Sequence, residues 1–166
     1  DHRDLDSDND GLSDVLESGN GIADIDNNGV IDTPTGWDIN ADGLADTIAS
    51  NADNPADFDG DSIVDFRDLD ADNDGISDVK EAQFTDANWD GSVDGAINTN
   101  GRNTALAALG SLTIPNTEGV GRANPYDIDS DEDGIPDNVE GLTTVGYLLP
   151  AAADSDGDGI DNSYDN

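Results

Sequence analysis

The sequence has no cysteine and no methionine, and its 166 residues include only five lysines and arginines and one histidine. Without cysteine, the chain can form neither a disulfide framework nor a thiolate site. With His2 as its single histidine, it lacks the material for nucleophilic triads and for zinc sites. The composition therefore predicts a protein that is not an enzyme.

Basic charge and large apolar side chains are scarce as well. Forty acidic residues give a formal net charge of −35 at pH 7, which argues against nucleic acid and membrane partners, because nucleic acid and anionic membranes are bound through basic surfaces. Leu, Ile, Val and Phe make up about one fifth of the chain, and no apolar run is long enough to cross a membrane. We therefore expect the metal-free chain to be expanded or only partly folded, since so thin a core cannot offset the entropy of ordering.

The acidic residues recur in the order Asp-x-Asp-x-Asp-Gly-x-x-Asp, which places oxygen ligands at positions 1, 3, 5, 9 and 12 of a twelve-residue loop. Position 6 is glycine for the sharp turn, and position 7 ligates through its backbone carbonyl, as in EF-hand-type calcium loops. Eight such loops span residues 6–17, 24–35, 38–49, 57–68, 70–81, 86–97, 129–140 and 154–165, and we number them one to eight. Their repetition in phase predicts binding of about eight Ca²⁺ ions.

Loops one, five and seven carry a complete ligand set. Their predicted ligands are Asp6, Asp8, Asp10, Leu12, Asp14 and Glu17; Asp70, Asp72, Asp74, Ile76, Asp78 and Glu81; and Asp129, Asp131, Asp133, Ile135, Asp137 and Glu140. Three further aspartates, Asp4, Asp68 and Asp127, stand two residues before these loops. We expect them to bind metal too and to bridge neighbouring ions.

The other five loops are partial copies. Loops two, three and six contain asparagine, whose amide oxygen is an accepted ligand, but they have Thr35, Ala49 and Ile97 at position 12, so we expect weaker binding or a borrowed ligand. Their predicted ligands are Asp24, Asp26, Asn28, Val30 and Asp32; Asp38, Asn40, Asp42, Leu44 and Asp46; and Asp86, Asn88, Asp90, Ser92 and Asp94. Those of loops four and eight are Asp57, Asp59, Asp61, Ile63, Asp65 and Asp68; and Asp154, Asp156, Asp158, Ile160 and Asp165. In loop four Ser62 replaces the glycine.

Position 7 is apolar in seven of the eight loops, so we expect each loop to add one small anchor to a thin core. True EF-hands flank the loop with two long helices, whereas here no helix is expected before loops one, five and seven. One or two helical turns are expected after them, at 13–18, 77–84 and 136–141.

Two stretches poor in acidic residues, 99–122 and 141–153, are interpreted as a short helix or strand pair that packs on the loops. The alternative is an exposed patch for a partner or a neighbouring domain.

The loops resemble thrombospondin type 3 repeats, in the cysteine-free form common in large bacterial surface proteins. The best match is Asp57–Glu81, where two loops follow each other at a 13-residue interval and share Asp68. The resemblance covers about half of the chain well; loops two, three and six and the two apolar stretches match less. It implies an elongated, mostly irregular, calcium-stabilised array with few short helices and minimal strand. It also implies an extracellular location, a spacer role in adhesins or secreted enzymes, and no catalysis.

We interpret residues 1–166 as a single array. Because Asp1–Asp6 match Asp65–Asp70, we expect the chain to be a fragment of a larger protein, with targeting and anchoring segments elsewhere. Eight bound Ca²⁺ ions would bring +16 and reduce the net charge from −35 to −19. Since the sites do not exist in the unfolded chain, the free energy of calcium binding contributes to folding. The expected partners are calcium and flanking domains of the same polypeptide.

Other classes of function fit the residues less well. Carboxylate pairs for glycoside hydrolysis are present, but nearly every aspartate belongs to a loop and there is little core to build a cleft. A dockerin-like or glycan-binding recognition module is the alternative, with Trp37 and Trp89 as sugar-stacking residues. Both tryptophans lie in or beside loops, so packing against the loops is the preferred interpretation. Irregular loop spacing argues against binding to a mineral or ice lattice.

Overall fold

The structure is a computed structural model that describes residues 2–19, 24–26, 28–32, 38–46, 54–110, 112–141, 151, 153–155, 157 and 159–164. Its α-helices in these ranges are α1 (Asp14–Glu17), α2 (Asp78–Glu81), α3 (Thr104–Ala107) and α4 (Asp137–Gly141). Two single-turn 3₁₀ helices span Asp65–Arg67 and Asn124–Tyr126. The described part of the chain contains no β-strand, only an isolated antiparallel bridge between Ile97 and Asn103. The prediction of a mostly irregular fold with few short helices is confirmed.

Helices α1, α2 and α4 lie within the predicted stretches 13–18, 77–84 and 136–141, and each begins at position 9 of a complete loop. An aspartate opens each of them, and its negative charge suits the positive end of the helix dipole. A single helical turn is unstable by itself, because one hydrogen bond must offset the ordering of several residues. Each turn lies at the end of its own loop and is held by that loop. In addition, α1 packs against the 3₁₀ helix Asp65–Arg67, and α2 against Asn124–Tyr126.

The entry to loops five and seven differs from the expectation that no helix precedes them. Each loop follows a single 3₁₀ turn. The first turn, Asp65–Arg67, continues loop four from its position 9, in the same place that the α-helices take elsewhere. In the second turn, Pro125 stands near the helix start, where its fixed φ favours helical backbone.

The core is small and does not consist of the position-7 side chains. Of these, Leu12 is fully buried, whereas Val30 and Ile135 are 53% and 43% exposed, so the prediction of one anchor per loop is wrong for those two loops. The buried apolar side chains are Leu12, Ala45, Leu69, Ala71, Val79, Ala82, Val93 and Leu112. Four of them lie at or beside loop five, which makes this loop the centre of the described structure.

The loops contact each other, both between neighbours and between loops that are far apart in the sequence. The Val93 amide of loop six donates to the Asn9 carbonyl of loop one at 2.8 Å. The side-chain Nδ2 of Asn73 in loop five donates to Asp59 Oδ2 of the preceding loop four at 2.6 Å. The ring of Tyr164, from loop eight, lies directly on Gly75 of loop five. These contacts fold the array back on itself; its elongated shape stays a prediction.

The first apolar stretch contacts the loops near its start, whereas Leu109 and Val120 further along it are exposed, so packing of the whole stretch stays an interpretation. The Asn100 carbonyl accepts from the Leu5 amide at 2.8 Å, and Arg102 Nη1 donates to the Asn28 carbonyl at 2.7 Å. Helix α3 is capped by Asn103, whose side chain accepts from two amides of its first turn. Most of the second stretch, 141–153, lies outside the described residues. None of the described helices is long and apolar enough to cross a membrane.

Candidate metal centre

One hydrogen bond recurs in all eight loops and closes each of them. The backbone amide of position 2 donates to the side chain of position 9 over 2.6–3.2 Å. The acceptors are Asp14, Asp32, Asp46, Asp65, Asp78, Asp94, Asp137 and Asn162. The aspartates among them are predicted ligands, and in the structure their side chains close the loops through this hydrogen bond.

Further backbone amides point at the acidic side chains of positions 1, 3 and 5. In loop five, Asp70 accepts from the Asp74 and Gly75 amides, Asp72 from the Asp74 amide, and Asp74 from the Ile76 amide. Gly75 reaches this turn with φ +94, a left-handed conformation that glycine adopts without steric cost. The backbone amides of the loop thus orient each of these three carboxylates.

These hydrogen bonds gather the carboxylates of single loops, including two partial copies. One carboxylate oxygen of each residue lies within 4.8 Å of the others in four groups. The groups are Asp6, Asp8 and Asp10; Asp24, Asp26 and Asp32; Asp57, Asp59 and Asp61; and Asp70, Asp72 and Asp74. Ser62 of loop four adopts φ +90, so it takes the glycine conformation despite its side chain.

Loops one and five bury these carboxylates, and many of the buried oxygens have no hydrogen-bond partner in the described structure. The unpartnered atoms are Asp6 Oδ1, Asp8 Oδ2, Asp10 Oδ2, Asp68 Oδ2, Asp72 Oδ2, Asp74 Oδ2, Asp78 Oδ2 and both side-chain oxygens of Glu17 and Glu81. Buried carboxylate oxygens without a partner are strongly unfavourable unless a cation neutralises them. A donor set made only of oxygens suits a hard cation such as Ca²⁺. The residues therefore fit the metal that the loop spacing predicts.

The pKa values of these carboxyl groups also show that the ionised form is unfavourable in the absence of a cation. Burial, and then the neighbouring Asp8, raise the pKa of Asp6 to about 8. Burial, and then Asp74, raise the pKa of Asp72 to about 8, and burial with Asp72 and Asp74 raises the pKa of Glu81 to about 12. A bound divalent cation acts in the opposite direction, because it favours the ionised carboxylate.

The three aspartates that precede the complete loops have a shared role. Asp4, Asp68 and Asp127 each accept a hydrogen bond from the position-1 amide of the following loop, over 3.0–3.4 Å. Asp68 is 1% exposed and lies between loops four and five. Burial raises its pKa to about 8, and Asp59, Asp61 and Asp65 of loop four add to the effect. Its role as a bridge between the ions of consecutive loops stays a prediction.

Other predicted ligands are half-buried, are exposed or lie outside the described residues. The exposed ones are Asp26, Val30, Asp32, Asn40, Asp42, Asp46, Asp57, Asp61, Asn88, Asp90, Asp94, Asp131, Asp133, Ile135 and Glu140. Asp86 is buried and lies 3.5 Å from Lys80 Nζ. Asp156, Asp158 and Asp165 of loop eight, and position 12 of loops two and three, are outside the described residues. The position-7 carbonyls stay predicted ligands.

Three residues of this centre were missed in the sequence. Asn162 is position 9 of loop eight and could have been found by counting nine residues from Asp154. The neighbouring Asp161 is 2% exposed and accepts hydrogen bonds from the Ala151, Ala153 and Ser163 amides. Tyr126 places a buried hydroxyl beside the carboxylates of loops one and five. No local signal points to Tyr126, since its neighbours come from distant parts of the chain.

Trp89 differs from the preferred interpretation. Its side chain is 75% exposed, so packing into the core is wrong for this residue. The Lys80 ammonium lies 4.2 Å from the centre of the Trp89 ring, and Trp89 adopts φ +62. Trp89, Ile76 and Tyr164 line a cleft of about 430 Å³ together with other residues of loops five, six and eight. Trp37 lies outside the described residues.

Comparisons of this chain with models of protein families, with curated proteins and with solved structures found no match. The resemblance to thrombospondin type 3 repeats stays a prediction drawn from the residues. A functional conclusion must therefore come from the geometry and chemistry of the loops themselves.

Proposed function

We propose that this chain is a calcium-binding structural segment, a spacer or stalk of a larger secreted or cell-surface, adhesin-like protein. The observation that carries the proposal is the set of buried carboxylate oxygens without partners in loops one and five. Their positions are those of calcium ligands in a twelve-residue loop. The chain offers too few basic residues to neutralise them, with five lysines and arginines against 40 acidic residues.

Calcium binding would supply the folding free energy that the thin core lacks. The side chains of loops one and five are oriented by backbone amides, so the folded loop presents ligands that the unfolded chain does not. Sites in extracellular modules bind Ca²⁺ with dissociation constants of roughly 10⁻⁴ to 10⁻³ M. Millimolar calcium outside the cell would then saturate the loops and stiffen the segment, whereas low calcium would leave it loose.

The experiment is a calcium titration of the full chain after treatment with EDTA, at pH 7.5, followed by circular dichroism and by the hydrodynamic radius. We expect contraction to a form that melts cooperatively. Magnesium is the matched control, because it demands stricter octahedral geometry and gives up its water reluctantly. An unchanged radius and melting profile with calcium would overturn the proposal, and equal responses to both metals would remove its calcium specificity.

A second candidate function is recognition of a protein or glycan partner. The exposed Trp89 favours it, because aromatic faces at the surface are common in binding sites. The test compares the unchanged chain with Trp89→Ala for binding to immobilised polysaccharides in calcium. Binding that disappears in Trp89→Ala would support recognition by this face. The spacer function alone predicts no binding by either chain.

A further inference from the structure

Loops one and five, which are far apart in the sequence, bring three buried carboxylates together. Asp10 and Glu17 belong to loop one and Asp78 to loop five, and one oxygen of each lies within 4.8 Å of the others. The side chains are 0%, 1% and 0% exposed. This cluster is not a single-loop site of the EF-hand type, because Glu17 and Asp78 are separated by 61 positions.

Backbone amides fix both aspartates and leave one oxygen of each without a partner. Asp10 Oδ1 accepts from the Leu12 amide at 2.7 Å, and Asp78 Oδ1 accepts from the Ala71 amide at 2.9 Å. The Oδ2 atoms of both residues, and both side-chain oxygens of Glu17, are buried with no partner in the described structure. The amides thus hold the orientation of the aspartates, and four buried oxygens are left for a ligand.

Tyr126 is an independent observation at the same place. Its hydroxyl oxygen is buried and has no hydrogen-bond partner among the described residues. It belongs to the 3₁₀ helix Asn124–Tyr126, which packs against α2, the helix that Asp78 begins. Among the charges that act on this hydroxyl, those of Glu17, Asp78 and Asp10 are the largest, so it lies near all three carboxylates. A buried hydroxyl without a partner beside three buried carboxylates points to a ligand that all of them share.

We propose that Asp10, Glu17, Asp78 and the hydroxyl of Tyr126 form one Ca²⁺ site shared between loops one and five. The inference rests on the proposed function and deepens it, since it adds a metal cross-link between two loops that are far apart in the sequence. Three carboxylates cannot all be ionised in this buried space without a cation. A cross-link between distant parts of a chain constrains the unfolded state more than one within a loop. The site would therefore join α1 to α2 and make their folding depend on each other.

The test is a double-mutant cycle of Glu17→Gln and Asp78→Asn. Calcium binding is measured by calorimetric titration, and bound ions are counted by native mass spectrometry. Each single change should weaken at least one site about tenfold or more, since even outer-shell changes alter metal affinity by about 10–100-fold. Because both residues ligate the shared ion, the combined loss should be smaller than the product of the single losses. The control cycle pairs Glu17→Gln with Asp46→Asn, which removes the position-9 carboxylate of exposed loop three. In this cycle the combined loss of calcium affinity should equal the product of the two single losses.

Tyr126→Phe is the variant that keeps both the packing and all carboxylates. It should weaken one calcium site and leave the other sites unchanged. If the charge variants do not fold even in calcium, calcium binding by Tyr126→Phe decides whether the shared site exists. A multiplicative Glu17–Asp78 cycle, or unchanged calcium binding by Tyr126→Phe, would overturn the shared site. If the chain still contracts with calcium in that case, the proposed function stands. Failure to contract at all would overturn the proposed function as well.

Discussion

Loops five and seven have the same ligand sequence, yet the structure places them in different surroundings. Both read Asp-x-Asp-x-Asp-Gly-Ile-x-Asp-x-x-Glu. In loop five, Asp72 and Asp74 are each 3% exposed and Glu81 is 8% exposed. In loop seven, Asp131, Asp133 and Glu140 are exposed. An empty exposed loop can hydrate its carboxylates, whereas an empty buried loop cannot, so we expect the fold to depend on a bound ion in loop five far more than in loop seven.

The reason for the difference lies outside the loops. Loop five is covered by Tyr164 of loop eight, which lies on Gly75, and by the 3₁₀ helix Asn124–Tyr126, which packs on α2. At the equivalent glycine of loop seven, Gly134, an added Cβ would meet no atom within 4 Å. Four predictions test this contrast, and the pH dependence, which acts on several buried groups together, is the largest.

Without calcium, this fold should be most stable at acidic pH and should loosen as the pH rises. Burial raises the pKa of Asp6 and Asp72 to about 8, and that of Asp74 to about 6, from an ordinary value of 3.8. Groups with a raised folded pKa stabilise the fold below their unfolded pKa, and this contribution is lost as the pH rises through the folded values. We therefore expect the EDTA-treated chain to be more contracted at pH 4 than at pH 8.

Calcium should reverse that order, because protons and calcium compete for the same oxygens. The apparent calcium affinity should fall as the pH drops from 8 to 6, the window of these pKa values. The hydrodynamic radius and calcium titrations at a series of pH values measure both effects. A metal-free chain that becomes steadily more stable from pH 4 to 8 would contradict the buried state of loop five.

The second-largest effect is expected from replacing the last ligand of each loop, which should lower the unfolding free energy by different amounts in loops five and seven. Glu81→Gln removes a buried charge that faces the other carboxylates of loop five, and we expect it to cost about 3 kcal/mol or more in saturating calcium. Glu140→Gln is the matched change in loop seven and should cost clearly less, because Glu140 is exposed. Urea unfolding in calcium measures both free energies. Equal losses would show that burial does not decide how much each loop contributes.

The glycines at position 6 provide a third matched pair. Gly75 and Gly134 have φ of +94 and +90, so alanine is strained in both, by about 1–2 kcal/mol. At Gly75 the added Cβ would also lie 2.3 Å from Tyr164 Cε2, and such overpacking adds about 1–3 kcal/mol. Gly75→Ala should therefore lower the unfolding free energy more than Gly134→Ala. Restoring stability in Gly75→Ala by adding Tyr164→Ala would identify the ring as the cause.

The smallest effect is expected at Trp89. Its side chain is exposed and its described ring contact is with Lys80, so Trp89→Ala should change the unfolding free energy by about 1 kcal/mol or less. The measurement is the calcium-saturated melting temperature, with quenching of tryptophan fluorescence by iodide as a check of exposure. A loss as large as that of Glu81→Gln would show that Trp89 packs into the core after all.

Much of the local structure could be predicted from the sequence. The helices at the ends of loops one, five and seven lie within the predicted stretches, because each is formed by the last residues of its own loop. The recurring bond from position 2 to position 9 arises from residues seven apart, and the same holds for the turns at glycine. Asn162 escaped the prediction only because it replaces an aspartate at a position that could have been counted.

The sequence by itself determined where each loop begins, which oxygens it offers and where helical turns follow, because these depend on hydrogen bonds between near neighbours. Only the tertiary structure decided which loops are buried, since Ile76 and Ile135 stand in the same local pattern yet differ in exposure. It also decided that Asp10, Glu17 and Asp78 meet. That meeting depends on the packing of α1, α2 and two 3₁₀ turns, which no spacing within one loop encodes.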